Sequence, residues 1–297
     1  MIPIMRYKKV WLTFSGILVI ASVAALVLIG LNLGIDFQGG SLLEVRFEKE
    51  NLETADLGLL LEEVGISGVT IQKTGEKSFF IRAPHLSQET HGQILAKFQE
   101  NFGETEEKRF ENIGPVIGSE LKKKAVIAIL IAVVFIILYL AWAFRRTSEM
   151  ISSWKMGIAA VIALIHDILI ISGIFVILGK YLGVSIDAYF VTALLTVLGF
   201  SVHDTIVVFD RIRENLYKSG ADESFEEVVN RGVNETLIRS LNTSLTTLFV
   251  LLAAILFGGE SIRYFVLALI LGIIIGTYSS IFVASPVLVV WQRQGSR

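Results

Sequence analysis

The sequence has no cysteine among its 297 residues, and only 18% of its residues carry a charged side chain. The absence of cysteine excludes disulfide bonds, thiolate metal sites and cysteine nucleophiles, and it leaves the redox compartment undetermined. The scarcity of charge, with 53% hydrophobic residues and a mean hydropathy of +0.66, is not typical of a soluble domain. Long uncharged apolar runs alternate with charge-rich stretches, which is the pattern of a membrane protein with several spans.

Six apolar runs are long enough to cross the hydrocarbon core of a bilayer, which takes about 20 residues. We therefore predict an α-helical membrane protein with six transmembrane helices. The fifth run is short, and its helix is expected to begin earlier, near Leu237. The predicted spans are Val10–Leu31, Ala125–Phe144, Met156–Leu178, Ala188–Phe209, Leu241–Phe257 and Tyr264–Trp291.

Basic residues in the short loops predict the orientation of the chain. With a cytoplasmic N-terminus, the inner segments hold 12 lysines and arginines, and the short outer loops hold 2. The inner residues are Arg6, Lys8, Lys9, Arg145, Arg146, Lys155, Arg211, Arg213, Lys218, Arg231, Arg293 and Arg297. Both termini are thus predicted to be cytoplasmic. The first span is predicted to be an uncleaved anchor, because its apolar run is too long for a typical signal peptide.

The stretch between the first two spans, residues 32–121, is too polar for a span and too long for a loop. Residues 36–120 hold 16 acidic and 8 basic side chains, a local balance of −8. Periodicity predicts a small α+β ferredoxin-like outer domain here, with residues 1–31 and 122–297 forming the membrane part. Its predicted elements are Ser41–Phe47, Thr54–Val64, Val69–Lys73, Ser78–Arg82, Gln88–Phe102 and Thr105–Ile113. Such a domain is either a compact body without a site or a sheet whose edge binds extended polypeptide.

Four motifs resemble the SecF family of protein-export membrane proteins. LGIDFQGGS (residues 33–41) resembles the segment that follows the first span, and IGPVIGSEL (residues 113–121) resembles the segment that leads into the second. GFSVHDTIVVFDRIREN (residues 199–215) resembles the fourth span and its cytoplasmic exit, and NETLIRSLNTSLTTL (residues 234–248) the start of the fifth. The third motif is long and highly specific. One departure is His203, where the family more often has asparagine before the aspartate.

The resemblance implies a subunit of a SecD–SecF complex in the bacterial cytoplasmic (inner) membrane. It implies pairing with a SecD-like subunit into a body of the resistance-nodulation-division type. That body would use the proton gradient to assist the SecYEG translocon in moving a preprotein across the membrane. The resemblance gives no reason to expect an enzyme, a cofactor or a nucleic-acid partner. With four histidines and no cysteine, no metal site is expected either.

Ionisable residues within spans are costly and are therefore functional candidates. Asp204 in span 4 and Arg239 at the start of span 5 are expected at similar depth, because span 4 ends on the side where span 5 begins. A buried carboxyl group near an arginine can exchange a proton near neutral pH. The resemblance assigns Asp204 the proton-carrying role, while an ion pair that joins the two spans is the structural alternative. Asp167 in span 3 is either a second proton-coupling site or a hydrogen-bonded core residue.

Other polar or small residues in the spans have two interpretations each. His166 and His203 precede their aspartates, point to other helix faces, and are either packing residues or proton relays. Thr243, Thr246 and Thr247 follow Arg239 at helical spacing, so a polar stripe is expected to face the bundle interior, holding water or bonding another helix. Gly272 and Gly276 in span 6, followed by Ser280 and Ala284, predict close helix packing or, alternatively, a surface that slides against the partner subunit.

Glycines at both ends of the outer domain are candidate hinges, namely Gly34, Gly39, Gly40, Gly114 and Gly118. Residues Asp222–Glu235 are acidic and amphipathic, and they predict either a solvated helix at the membrane interface or a contact with the translocation channel or its partners. Two other functions stay open from the residues alone. One is half of another proton-coupled transporter for small molecules or lipids. The other is an intramembrane aspartyl protease, which would need Asp167 and Asp204 to share a proton at about 3 Å.

Overall fold

The computed structural model describes residues 1–144, 153–220 and 223–295. Four residues used above, Arg145, Arg146, Asp222 and Arg297, lie outside these ranges. The described helices are α1 Lys8–Leu28, α2 Ile35–Gln38, α3 Thr54–Glu63, α4 Gln88–Phe102, α5 Pro115–Ala143, α6 Ser153–Leu182, α7 Ala188–Lys218, α8 Phe225–Phe257, α9 Arg263–Ser279 and α10 Ser285–Gly295. The described strands are β1 Gly40–Phe47, β2 Thr70–Lys73, β3 Ser78–Ala83 and β4 Thr105–Ile113.

The chain folds into two compact units. The helical unit comprises Met1–Gly30, Ala128–Ile177 and Tyr189–Arg297, and the sheet unit comprises Leu31–Ile127 and Leu178–Ala188. The sheet unit therefore includes the loop that joins α6 to α7, which lies outside the stretch of residues 32–121. The domain limits at residues 31 and 121 stay a prediction.

The sheet unit contains one four-stranded sheet in the order β2-β3-β1-β4 among the described residues. Every neighbouring pair of strands is antiparallel. Together with α3 and α4, this order is that of a ferredoxin-like α+β domain, and the predicted fold class is confirmed. A register shift between Glu44 and Val45 leaves Lys108 of β4 without a partner in β1, a β-bulge that bends β4.

The core of the sheet unit lies between one face of the sheet and the two helices α3 and α4. Alternate residues of β1, namely Leu43, Val45 and Phe47, are buried, because successive side chains of a strand point to opposite faces. Phe47 makes edge-on contacts with Phe79 and Phe98, at centroid distances of 5.8 and 5.4 Å. These contacts join both helices and the inner strands into one hydrophobic cluster.

In the described part of the chain, six helical stretches are long and apolar enough to cross a membrane, as predicted. The fifth, α8, runs without a break from Phe225 to Phe257. The amphipathic stretch that ends at Glu235 thus forms the first part of α8 and continues directly into the fifth span. A capping box of Ser224 and Glu227 begins α8, and no residue interrupts it afterwards. Gly232 serves close packing instead, since a Cβ atom there would lie 2.8 Å from Ile212 Cγ1.

The sixth span is not one regular α-helix. α9 ends at Ser279, a π-helical segment covers Ser280–Ala284, and α10 continues from Ser285. The Ser285 hydroxyl donates to the Ser280 carbonyl over 3.1 Å, within the same wide turn. Single π-helical turns inside α-helices occur often at functional sites. This segment lies beside the buried polar groups described next.

Candidate functional site

Asp167 on α6 is almost completely buried in the helical unit, with 1% of its surface exposed. Its Oδ1 lies 2.9 Å from His166 Nδ1, and its Oδ2 accepts hydrogen bonds from the hydroxyls of Ser201 (2.6 Å) and Ser279 (2.8 Å). The serines come from α7 and α9, so the carboxyl group joins three helices. His166 and Asp167 start from different faces of α6, as adjacent helix residues do, yet their side chains are in contact.

Asp204 on α7 is buried in a different setting. The hydroxyl of Ser240 on α8 donates to Asp204 Oδ1 over 2.5 Å. The second oxygen, Oδ2, is buried and has no hydrogen-bond partner among the described residues. The Asp204 carboxyl group therefore has one oxygen held by a neutral donor and one oxygen left open.

A cluster of hydroxyl groups lies between the two carboxyl groups. Thr205 Oγ1 and Ser280 Oγ are 2.8 Å apart. Both hydroxyls also donate to the backbone carbonyl of Ser201, over 3.1 and 3.4 Å respectively. Ser279 and Ser280 are adjacent at the start of the π-helical segment, and they contact Asp167 and Thr205 respectively. At the junction of α9 with the π-helical segment, Ser279 thus contacts the Asp167 carboxyl group and Ser280 contacts Thr205, the residue that follows Asp204.

The glycines of α9 permit this close approach. A Cβ atom at Gly272 would lie 2.1 Å from Val197 Cγ2, and one at Gly276 would lie 3.0 Å from Ser201 Cβ. Neither distance leaves room for a larger side chain without movement. The predicted close packing at this pair of glycines is confirmed, and it brings α9 against the face of α7 that carries Ser201.

Arg239 does not pair with Asp204 in this structure. Its side chain is exposed, and among the described residues no ion pair joins it to a carboxylate. The physical reason is the helical period: Ser240, the next residue, occupies the inner face of α8 and leaves Arg239 turned outward. The ion pair expected between Arg239 and Asp204 is therefore absent here.

The threonine stripe of α8 shares the outward face of Arg239. Thr243 and Thr246 are exposed, Thr247 is partly buried, and each hydroxyl donates to a carbonyl of its own helix. The expectation that this stripe faces the interior of this chain's bundle is wrong. The inner face of α8 carries Ser240 and Ser244 instead, and Ser244 bonds Thr277 of α9.

The remaining predicted residues are more dispersed. His203 is exposed, although it directly precedes the buried Asp204 on α7. The five candidate hinge glycines all lie in the sheet unit, where Gly39 and Gly40 have positive φ angles of 78° and 124°. Across the described residues there is no group of three or more metal-ligating side chains.

The sequence reasoning missed the serines and the threonine that bind the two carboxyl groups. Ser201 precedes Asp204 by one helical turn, and Ser279 and Ser280 form a polar pair within an apolar run. The available signal was the spacing of small polar residues around the aspartates. The two carboxyl groups have different donors. A protease dyad would need them to share a proton, but no hydrogen bond connects them in the described part of the chain.

Two family models match the chain. One, described as "Protein export membrane protein SecD/SecF, C-terminal", covers residues 93–294, and the other, the SecD/SecF GG motif, covers residues 24–50. The chain belongs to the SecD/SecF family. The resemblance of the four motifs is confirmed by these matches, which together extend over most of the sequence.

Curated relatives of the family match almost the whole chain, and they are named protein translocase subunit SecF. The one from Thermobaculum terrenum is 44% identical over 99% of this chain and 95% of its own length. The one from Vibrio alginolyticus is 41% identical over 96% of this chain and 88% of its own length. The similarity to these SecF subunits therefore covers nearly the whole chain.

Two solved SecDF structures share the fold. The SecDF crystal structure from Thermus thermophilus matches with a TM-score of 0.88 at 35% identity, over 97% of this chain and 38% of that chain. SecDF in a super-membrane-facing form matches with a TM-score of 0.70 at 34% identity, over 99% of this chain and 39% of that chain. The chain thus spans about two fifths of the length of these SecDF chains.

Proposed function

We propose that this chain acts as the SecF-type subunit of a proton-driven complex that assists protein translocation across the bacterial cytoplasmic membrane. Its partner would be a SecD-like chain, corresponding to the part of the SecDF structures that this chain does not cover. The SecYEG translocon and the translocating preprotein are the further partners. The full-length similarity to SecF subunits supports this proposal.

The distribution of basic residues supports a proposed orientation of the chain in the membrane. Both termini lie in the cytoplasm, and the sheet of the sheet unit lies outside the cytoplasmic membrane, where a translocated polypeptide emerges. The excess of acidic residues in the sheet domain is consistent with this placement, since long translocated domains are not bound by the positive-inside rule.

The outward face of α8 is proposed to contact the SecD-like subunit. Only 11% of the most apolar window of α8 is buried within this chain, compared with 50% for α7 and 61% for the sixth span. The exposed face carries Arg239 and hydroxyl groups, and an exposed guanidinium in a span is unfavourable against lipid. A partner helix with polar groups would satisfy these side chains, which is why we place the interface here.

The proton-carrying step is proposed at Asp204, and the observation that supports it is the unpartnered Oδ2 atom. Because Ser240 bonds only Oδ1 and no ion pair joins Asp204 to another described residue, the carboxyl group can gain or lose a proton without breaking an ion pair. Asp167 is proposed as a second, more enclosed coupling site. Its two serine donors connect it to α7, the helix that carries Asp204, and to α9.

Arg239 enters the cycle through rotation of α8. Neighbouring residues of an α-helix are about 100° apart around its axis. A rotation of that size would replace Ser240 by Arg239 opposite Asp204, exchanging a neutral donor for a cation. Deprotonation of Asp204 would favour the second arrangement and protonation the first.

Asp204→Asn tests the proton step, because the amide keeps the shape of the side chain and cannot ionise. The variant should assemble with its partner chain and fail to stimulate preprotein translocation into membrane vesicles with an imposed proton gradient. Asp210→Asn is the matched control, since Asp210 lies on the same helix, is exposed and, among the described residues, forms its ion pair with Arg213. Gradient-dependent translocation by Asp204→Asn at the wild-type rate would contradict the proposed role.

A further inference from the structure

The loop that joins α6 to α7 is built into the sheet unit. We call residues 183–187 the α6–α7 loop and residues 32–40 the Gly-Gly segment. The Ile186 N–H donates to the Asn32 carbonyl over 2.7 Å, and the Gly34 N–H donates back to the Ile186 carbonyl over 2.8 Å. These bonds form a parallel bridge between Leu33 and Ile186. The loop therefore extends the Gly-Gly segment as a short paired strand.

Side chains strengthen the same connection from both ends of the loop. The Asn32 amide donates to the Val184 carbonyl over 3.1 Å, and the Arg82 guanidinium of β3 donates to the Gly183 carbonyl over 3.2 Å. Gly34 is tightly enclosed, since a Cβ atom there would lie 3.2 Å from the Ile186 carbonyl oxygen. The α6–α7 loop is thus joined both to the Gly-Gly segment and to the sheet.

Asp36 completes this connection at the first residue of α7. Its Oδ2 accepts a hydrogen bond of 2.7 Å from the backbone N–H of Ala188. The first N–H groups of a helix have no partner within the helix, and a carboxylate stabilises them through both the hydrogen bond and the helix dipole. The start of α7, the helix that carries Asp204, is therefore held by a residue of the Gly-Gly segment.

The start of α5 is held by the same segment. A Cβ atom at Gly39 would lie 2.7 Å from Pro115 Cα, and one at Gly118 would lie 2.7 Å from Gly39 N, so the backbones touch where both residues lack a side chain. The Gly-Gly segment then runs directly into β1, and a Cβ atom at Gly40 would lie 2.7 Å from the Ala83 carbonyl oxygen of β3. One short segment thus contacts the sheet and the first turns of α5 and α7.

We propose that Asp36 is a positioning residue that fixes the start of α7 to the sheet domain, so that a movement of α7 is passed to the sheet through the Gly-Gly segment. This inference rests on the proposed function, in which α7 moves when Asp204 changes its protonation state. It assigns the Gly-Gly segment a rigid connecting role, with Gly34, Gly39 and Gly118 serving close contact rather than free hinge motion.

Asp36→Ala removes the bond to Ala188 and should lower proton-gradient-dependent translocation about fivefold, the factor by which loss of one helix cap changes an equilibrium. Asp56→Ala is the matched control. Asp56 also accepts a bond from a backbone N–H at a helix start, that of Glu53 over 3.0 Å, but it does so within the sheet domain. The control should lose stability without losing translocation.

A reversible cross-link separates the connecting role from simple misfolding. A Cβ atom at Gly34 would lie 3.6 Å from Asp187 Cβ, within the range that disulfide bonds span. The wild-type chain has no cysteine, so the pair Gly34→Cys and Asp187→Cys supplies its only thiols. In the Asp36→Ala background, oxidation should raise translocation about fivefold over the reduced protein, and dithiothreitol should reverse the gain.

The ratio of oxidised to reduced translocation decides the outcome. A ratio of one or less in the Asp36→Ala background overturns the proposal, and so does inactivation by the cross-link in the otherwise wild-type chain, because the contact would then have to open. Adding Asp204→Asn distinguishes this result from failure of the proposed proton step. Normal translocation by Asp204→Asn, together with rescue of Asp36→Ala by the cross-link, would refute the proton step at Asp204 and would still support the role of Asp36 in connecting α7 to the sheet domain.

Discussion

The two serines that bind Asp167 Oδ2 should act as a cooperative pair. Ser201→Ala or Ser279→Ala leaves this oxygen one donor, and each change should lower the free energy of unfolding by about 0.6 to 1.7 kcal/mol, the range for interhelical hydrogen bonds in membranes. The double variant leaves a buried oxygen without a hydroxyl donor, which costs a further ~1–3 kcal/mol. The loss should therefore exceed the sum of the single losses by at least about 1 kcal/mol.

A double-mutant cycle in mixed detergent micelles, unfolded with increasing sodium dodecyl sulfate, measures this interaction energy. Thr196→Ala is the control, because among the described residues its hydroxyl donates to the Thr192 carbonyl of the same helix and to no other helix. Additive losses within about 0.5 kcal/mol, the margin usual for independent sites, would refute the assignment of both hydroxyls to one oxygen. Single losses no larger than that of the control would refute the bonds themselves.

Two further variants test packing and the outward face of α8. Gly272→Ala should destabilise the chain by ~1–3 kcal/mol relative to Gly199→Ala, because a Cβ atom at Gly199 has open space around it. Adding Val197→Ala should relieve the loss caused by Gly272→Ala, since the new methyl group would meet Val197. The same unfolding assay measures these variants. Arg239→Ala should insert normally and lose translocation stimulation, whereas Arg239→Lys should keep part of it because the charge remains. Full translocation activity of Arg239→Ala would reduce the arginine to an interfacial anchor.

The sheet domain could be predicted from the sequence because its elements are half buried. α4 and β4 were predicted with the bounds that the structure gives, Gln88–Phe102 and Thr105–Ile113. In such elements polar residues face solvent and apolar residues face the core, so the sequence period reports both the element type and its buried face.

The inner faces of the spans could not be predicted in the same way. Lipid is as apolar as a helix interface, so hydrophobic periodicity does not tell which side of a span faces inward. The choice between Arg239 and Ser240 as the neighbour of Asp204 depends on a rotation of one residue, and the more strongly polar side chain was chosen wrongly. Ser279 and Ser280 were missed as carboxyl donors for the same reason.

The π-helical turn in the sixth span has a consequence for chain length. A π-helical turn contains one residue more than the α-helical turn it replaces, so Ser285–Gly295 is rotated by about 100° from the direction that a regular helix would give it. Deleting one residue within Ser280–Ala284 would let the helix run regularly. The side of α10 that carries Leu288 and Val289, which is now buried, would then turn away from the core. A single-residue gap in an alignment at this point would thus mark a change in helix facing rather than a harmless difference in length.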